Sequence, residues 1–245
     1  MGRSRKEIRQ IVEVPGTDRK TQAMASIVVR NTTRGEILHR ILVVGCGDGQ
    51  EARDLAKIFN AKVDAIDIED GFAAHHPDVT FTQMDAERLS FPDDTFDLVF
   101  SFHALEHIPN PARAISEMRR VLRDGQIFLI GVPNRDRMVA YIGSRNATFA
   151  QKIQWNVNDW KKRLKGQFRN ELGAHAGFTM REFAALARPI GAAQRATRDY
   201  YDWQYPMLQP ALLVADLIGL ARWGLPCVYL VGRKAEAPKL RAAAE

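Results

Sequence analysis

The sequence predicts an α/β protein: a doubly wound, mainly parallel sheet covered by helices on both faces, with a helical insertion as a lid. Three observations predict it. Short, nearly continuous apolar runs recur along the chain, as strands buried on both faces require. Amphipathic helical patterns separate those runs, as parallel strands need crossovers. The first run, "RILVVG" (40–45), passes through "CGDG" into the helix-friendly "QEARDLAKIFN". A strand that enters a helix through glycines commonly carries a ligand across the turn.

The elements follow in order. Residues 1–20 read as weakly ordered or as an adapter helix, and 21–38 as helical. "RILVVG" is the first strand. The next helix places Ala52, Leu55, Ala56 and Phe59 on one face by their three-to-four spacing. "AKVDAIDI" is a second strand, "GFAAHHP" a loop or short helix, "VTFTQMD" a third strand and "FDLVFSF" a fourth. "NPARAISEMRRVLRDG" is a helix expected to stop at Gly125. "QIFLIGVPN" is a fifth strand. Residues 135–175 hold Trp155, Trp160 and many cations without a strand signal, and read as a helical lid. A helix follows over 179–191, with Thr179 as N-cap and Glu182 completing a capping box. "AQRATRDYYDW" is expected as a sixth strand, 210–222 as a helix and 227–232 as the last strand. The final residues read as a loose tail. The expected organisation is a basic N-terminal helical adapter or cap over 1–37 and a main domain over 38–245, with 135–175 as the basic lid.

Composition narrows the function classes. The 245 residues carry a net charge of +6. Residues 1–40 hold nine Lys or Arg against four acids, and 135–172 hold nine against three. Such patches suit a solvated face, nucleic acid, anionic lipid or acidic substrates. The two cysteines, Cys46 and Cys227, provide no disulfide framework and no metal-ligand spacing, so no metal is expected. They fit a reducing, cytoplasmic setting. "MGRSRKEIRQ" is followed by no apolar core, so no signal peptide is expected. In the apolar run 211–232, Asp216, Arg222, Gly224 and Pro226 interrupt what would otherwise approach a membrane span. A helix, a turn and a strand are expected there instead, with peripheral membrane contact open.

The candidate binding residues lie where strands should end. Gly45, Gly47 and Gly49 are spaced G-x-G-x-G, and the glycine that a dinucleotide fingerprint wants at position 50 is Gln. Asp67 closes the second strand, where a carboxylate can accept from a ribose diol. Asp85 closes the third. Its carboxylate can accept from an exocyclic adenine amine while the Ala86 amide donates to a ring nitrogen. Ile68 and Met84 offer apolar walls. Diol, amine and slot together describe an adenosine site.

"VVGCGDG", "AIDI" and "MDAERLSFPDDTFDLVFSFHALEHIPNPARAISEMRRVLRDGQIFLIGVPN" resemble the class I S-adenosylmethionine-dependent methyltransferases, nearest the branch with the quinone-biosynthesis and small-molecule enzymes. The resemblance covers 38–135 firmly and 175–233 loosely. It implies a Rossmann-like, seven-stranded sheet of order 3-2-1-4-5-7-6 with its last strand antiparallel, and S-adenosylmethionine as cofactor, leaving as S-adenosylhomocysteine. It implies that Gly45, Cys46, Gly47 and Gly49 line the methionine and ribose, that Asp67 and Ile68 hold ribose and adenine, and that Asp85 and Ala86 read the adenine edge. Ser101, Phe102 and His103 would follow the fourth strand where methyl group and substrate meet. Members often carry an acid two residues before the first glycine; this chain has Val43.

Methyl transfer to a hydroxyl needs alignment and removal of one proton, for which histidine is suited near neutral pH. His103, His107 and His175 are the candidates. His103 is expected to face substrate, while His107 has a competing structural role. A basic lid suits O-methylation of a small-molecule, glycan or lipid-linked acceptor. The alternatives are an RNA methyltransferase, although no accessory RNA-binding module is evident, and a non-catalytic binding protein of this fold acting through a partner.

Overall fold

The computed structural model describes residues 3–141 and 147–236. Two helices, α1 (Arg5–Val12) and α2 (Arg19–Asn31), precede the sheet. Then follow β1 (Arg40–Val44), α3 (Gln50–Phe59), β2 (Lys62–Asp67), β3 (Val79–Gln83), β4 (Phe96–Phe102), α4 (Pro111–Val121) and β5 (Leu122–Pro133). The second half contains α5 (Phe149–Leu164), α6 (Met180–Ala187), β6 (Ala193–Arg195), α7 (Thr197–Gln204), α8 (Gln209–Leu217), α9 (Ala221–Gly224) and β7 (Cys227–Arg233). Among the described residues seven strands form one sheet in the expected order, β3-β2-β1-β4-β5-β7-β6. β7 runs antiparallel to both β5 and β6; the other pairings are parallel.

The pleat sorts the core into two layers. Ile41, Val43, Val63, Ala65, Leu98 and Phe100 face α1, α2, α3 and α7. Leu42, Val44, Ile66 and Val99 face the opposite way, against α4 and α6. Successive strand residues point to opposite faces, so a run apolar at every position is what a sheet covered on both sides demands. Register then sets the site. Val44 pairs with both Ile66 and Ser101, and Asp67 with Gln83, so the carboxyl ends of β1, β2, β3 and β4 fall along one rim.

Several boundaries differ from the sequence expectations. The N-terminal segment is not among them: of the two forms expected it takes the helical one, with Ser4 and Glu7 in a capping box and Ile8 and Val12 buried. α4 stops at Val121 rather than Gly125, because Leu122 already pairs with Phe96 and is buried in the sheet. The expected sixth strand is mostly helix: β6 has three residues, and α7 takes over from Thr197. The β-favouring Tyr200, Tyr201 and Trp203 are buried there on a helical face, and Arg198 pairs with Asp202 one turn on. The helix expected over 210–222 is broken at Gly219, which adopts φ +73°, leaving α8 and the short α9. The expected tail lies largely beyond the described residues.

Candidate active site

The rim of the sheet begins with the turn after β1. The Gly45 and Cys46 amides donate to the Ile66 carbonyl at 2.9 and 3.0 Å, folding the turn back over β2. At Gly45 a Cβ would lie 2.2 Å from Ala104 Cβ, and φ is +72°. Only glycine lets this turn sit against the loop after β4. Gly47 has φ +50° and open space where its Cβ would be, and its amide donates to Asp67 Oδ2 at 2.8 Å. Asp67 Oδ1 accepts from the Glu69 amide at 3.1 Å. The carboxylate is thereby fixed in orientation while each oxygen keeps a further lone pair.

The neighbouring strand end supplies a second carboxylate. The Met84 amide donates to the Asp67 carbonyl at 2.8 Å, which ties the two ends together. Asp85 Oδ1 accepts from the Glu87 amide, and its carbonyl from Arg88. Ile68 stands 64% exposed beside them, an apolar side chain on an otherwise polar rim. Ala86 and Met84 are partly buried against the α4 layer. At the end of β4, Ser101 Oγ is buried with no hydrogen-bond partner among the described residues. Gly49 caps α3 and Cys46 is buried, its thiol pushed up to about 12 chiefly by desolvation.

Beyond β4 the chain turns sharply. His103 has φ +55° and His175 φ +44°, a region that non-glycine residues enter at a cost and that marks functional sites disproportionately. The three candidate histidines do not share a helical face. Two of them converge instead on Glu106: His103 Nδ1 and His107 Nε2 each lie 3.9 Å from its Oε1. The His107 and His175 rings meet edge to face at 4.6 Å. Both carboxylate oxygens of Glu106 are buried without a hydrogen-bond partner among the described residues. Desolvation pushes the Glu106 carboxyl up to about 7. His103 is pushed down to about 3, first by desolvation and then by the charges of Lys20 and Arg137. His107 is lowered chiefly by desolvation.

His103 and His175 line a cavity of about 710 Å³ beside the rim. Its aromatic walls are Phe102, Tyr200, Tyr201 and Tyr205, and Lys20 and Arg137 bring positive charge. Lys20 lies over the Phe102 ring and pairs with Glu51 at 2.7 Å. Arg137 is buried, donating to the carbonyls of Asn134, His175 and Ala176. Cys227 Sγ lies 3.0 Å from His103 Nε2, and the Tyr201 hydroxyl accepts from the Cys227 amide. Sequence reasoning passed over Glu106, although "LEH" contains it, and over Lys20 and Arg137. Lys20 reaches the cavity because buried Asp54 on α3 accepts from the Asp18 amide at 2.7 Å and pins the start of α2. The lid is less uniformly basic at its surface than its composition suggests. Arg163 is a brace, donating to the carbonyls of Arg135 and Arg137 and lying 3.8 Å over the Phe168 ring. Among the described residues, no group of three or more His, Cys, Asp or Glu could hold a metal ion.

Comparisons with known proteins fall on the same segment. Residues 42–130 match the family model of a methyltransferase domain. A probable S-adenosylmethionine-dependent methyltransferase of Mycolicibacterium smegmatis is 35% identical over 163 residues, covering 64% of this chain and 59% of the relative. The 2-methyl-6-phytyl-1,4-hydroquinone methyltransferase of Synechocystis is 31% identical over 191 residues, covering 74% of this chain and 54% of the relative. The chain thus spans little more than half the length of these relatives. A solved structure of phosphoethanolamine N-methyltransferase 2 from Haemonchus contortus, in complex with S-adenosyl-L-methionine, superposes with a TM-score of 0.54 at 16% identity, covering 86% of this chain and 52% of that one. That likeness speaks for the fold.

Proposed function

We propose that this chain is an S-adenosylmethionine-dependent methyltransferase that methylates an oxygen of a small or lipid-linked acceptor held in the 710 Å³ cavity. The observation that carries the reading is the pair of oriented carboxylates, Asp67 and Asp85, on adjacent strand ends beside the open backbone of Gly47. This donor set fits the cofactor. Asp67 keeps lone pairs for a diol, Asp85 can accept from an amine, and exposed Ile68 supplies an apolar wall for a base. Ser101 Oγ, buried and unpartnered, can accept or donate toward the methionine portion. Val43 is buried in the apolar layer and contributes no charge.

When bound, the cofactor would supply a sulfonium methyl group for transfer to the acceptor oxygen. The protein aligns the acceptor and takes the hydroxyl proton. Phe102 and the tyrosines flank a flat ring, which agrees with the hydroquinone named for one relative. His103, held neutral, offers the lone pair, and Glu106, 3.9 Å from its Nδ1, balances an imidazolium once its own carboxyl is ionised. An acidic acceptor would offset Lys20 and Arg137 and raise the proton affinity of His103. Residues 1–37 cap the site through Asp18 and Lys20, which line the cavity.

Labelled-methyl transfer to small-molecule, lipid and RNA fractions tests the reading. Counts in the small-molecule or lipid fraction support it; counts only in RNA, or none with cofactor bound, overturn the acceptor class or favour a non-catalytic binder. His103→Ala is expected to lower kcat by about 100-fold or more while leaving the cofactor Kd unchanged. An unchanged kcat removes His103 from the mechanism.

A further inference from the structure

Residues 206–223 present a large apolar surface to solvent. Met207 is 92% exposed and Leu217 78%, with Leu213, Ile218, Leu220 and Trp223 also outward. A contiguous exposed apolar crest of this kind marks an interaction site rather than ordinary surface. It is continuous with the cavity: Leu208 and Leu212 line the cavity, as do Gly224 and Leu225 just past the crest. Among the described residues no helix is long and apolar enough to cross a membrane.

Cations stand on both flanks. On one side Arg5, Lys6 and Arg9 of α1 surround Pro206. On the other, the Met138 amide donates to the Trp223 carbonyl and the Trp160 indole donates to the Met138 carbonyl, both at 2.7 Å. Half-exposed Trp160 and Met138 therefore extend the crest toward the last turn of α5, where Lys161 and Lys162 follow. The Arg222 guanidinium lies 4.3 Å over the Trp223 ring. The nearby acids are paired: Asp216 with Arg198, and Asp136 with Arg222. Apolar side chains with tryptophans among them and basic residues alongside are the pattern of segments that lie in a lipid headgroup region.

We propose that the α8–α9 crest docks on an anionic lipid surface, seating its apolar side chains among the acyl chains and turning the cavity mouth toward the bilayer. The delivery of a lipid-dissolved acceptor rests on the proposed function; the docking itself does not. The test is co-sedimentation of the full chain with phosphatidylcholine vesicles containing phosphatidylglycerol, without cofactor or turnover. Docking predicts binding that strengthens with the phosphatidylglycerol fraction and weakens with salt. The double variant Leu217→Glu, Ile218→Glu should lose at least about tenfold in vesicle affinity with an unchanged thermal midpoint, since both side chains are exposed. Arg5→Glu with Lys6→Glu should weaken binding only to the anionic vesicles. Absence of binding, or binding that the Leu217 and Ile218 substitutions leave intact, overturns the proposal. So does a concentration-dependent dimer broken by those substitutions in a protein that ignores vesicles, since a second copy then covers the crest. A failed methyl-transfer assay beside intact vesicle binding would remove the enzyme reading and leave the docking surface.

Discussion

Glu106 is a buried carboxyl without a hydrogen-bond partner among the described residues, and its titration is measurable without any ligand. Its side chain is 1% exposed, and burial holds its carboxyl near pH 7 rather than at the ordinary 4.5. Between those two values the folded protein keeps a proton that the unfolded chain has released. Stability therefore falls as pH rises through that window, by ~3 kcal/mol in all. Glu106→Gln removes the titrating group, so the thermal midpoint of the ligand-free protein should rise at pH 8 and lose much of its pH dependence between 5 and 7. An unchanged pH profile would show that the carboxylate is solvated or paired in solution. The candidate carboxylates Asp67 and Asp85 were legible in the sequence, because an acid closing an apolar run falls on the rim by periodicity alone. Glu106 was not. One acid in "LEHI" reads as a helix surface until the turn at His103 folds it inward between two imidazoles.

At the level of elements, the alternation of apolar runs and amphipathic helices located most of the sheet, since a doubly covered sheet leaves few other uses for such runs. The stretch 193–203 misled because aromatic residues favour strands, while the three-to-four spacing of Tyr200, Tyr201 and Trp203 with buried Thr197 is helical. The docking of α7 on the sheet decides it. Tyr200 stacks on Tyr229 of β7 at 4.4 Å, and the Tyr201 hydroxyl accepts from the amide that opens β7. Tyr201→Phe leaves that amide without its acceptor, and urea unfolding should show a loss of about 1–3 kcal/mol with an unchanged m value. A loss below a few tenths would mean that water replaces the hydroxyl. The lid divides in the same manner. Arg163 braces two carbonyls and an aromatic ring, whereas Lys161 is exposed. Arg163→Glu should lower the thermal midpoint by several degrees, and Lys161→Glu should leave it unchanged. Equal effects would remove the distinction between brace and surface charge.

Across the whole molecule, one sheet edge organises two compartments. The ends of β1, β2 and β3 carry the glycine turn and two carboxylates. The ends of β4, β5 and β7, closed over by α2, α7 and the segment through α9, enclose the aromatic cavity. Phe102 and His103, at the end of β4, stand at the junction between them. The strand order was legible from the resemblance, and so were Tyr200 and Tyr201 near the substrate mouth, but the rest of the cavity was not. Its walls come from positions as distant as Lys20, Arg137, Tyr201 and Cys227, which only the crossovers bring together. The rim is proposed to bind an adenosine-bearing cofactor. Calorimetric titration of S-adenosylmethionine and S-adenosylhomocysteine into the protein, beside Asp67→Ala and Asp85→Ala, tests it most directly. Micromolar binding is expected, and each substitution should weaken it tenfold or more, about 1.4 kcal/mol apiece. Absence of binding in the unsubstituted chain, or binding indifferent to both carboxylates, would contradict it.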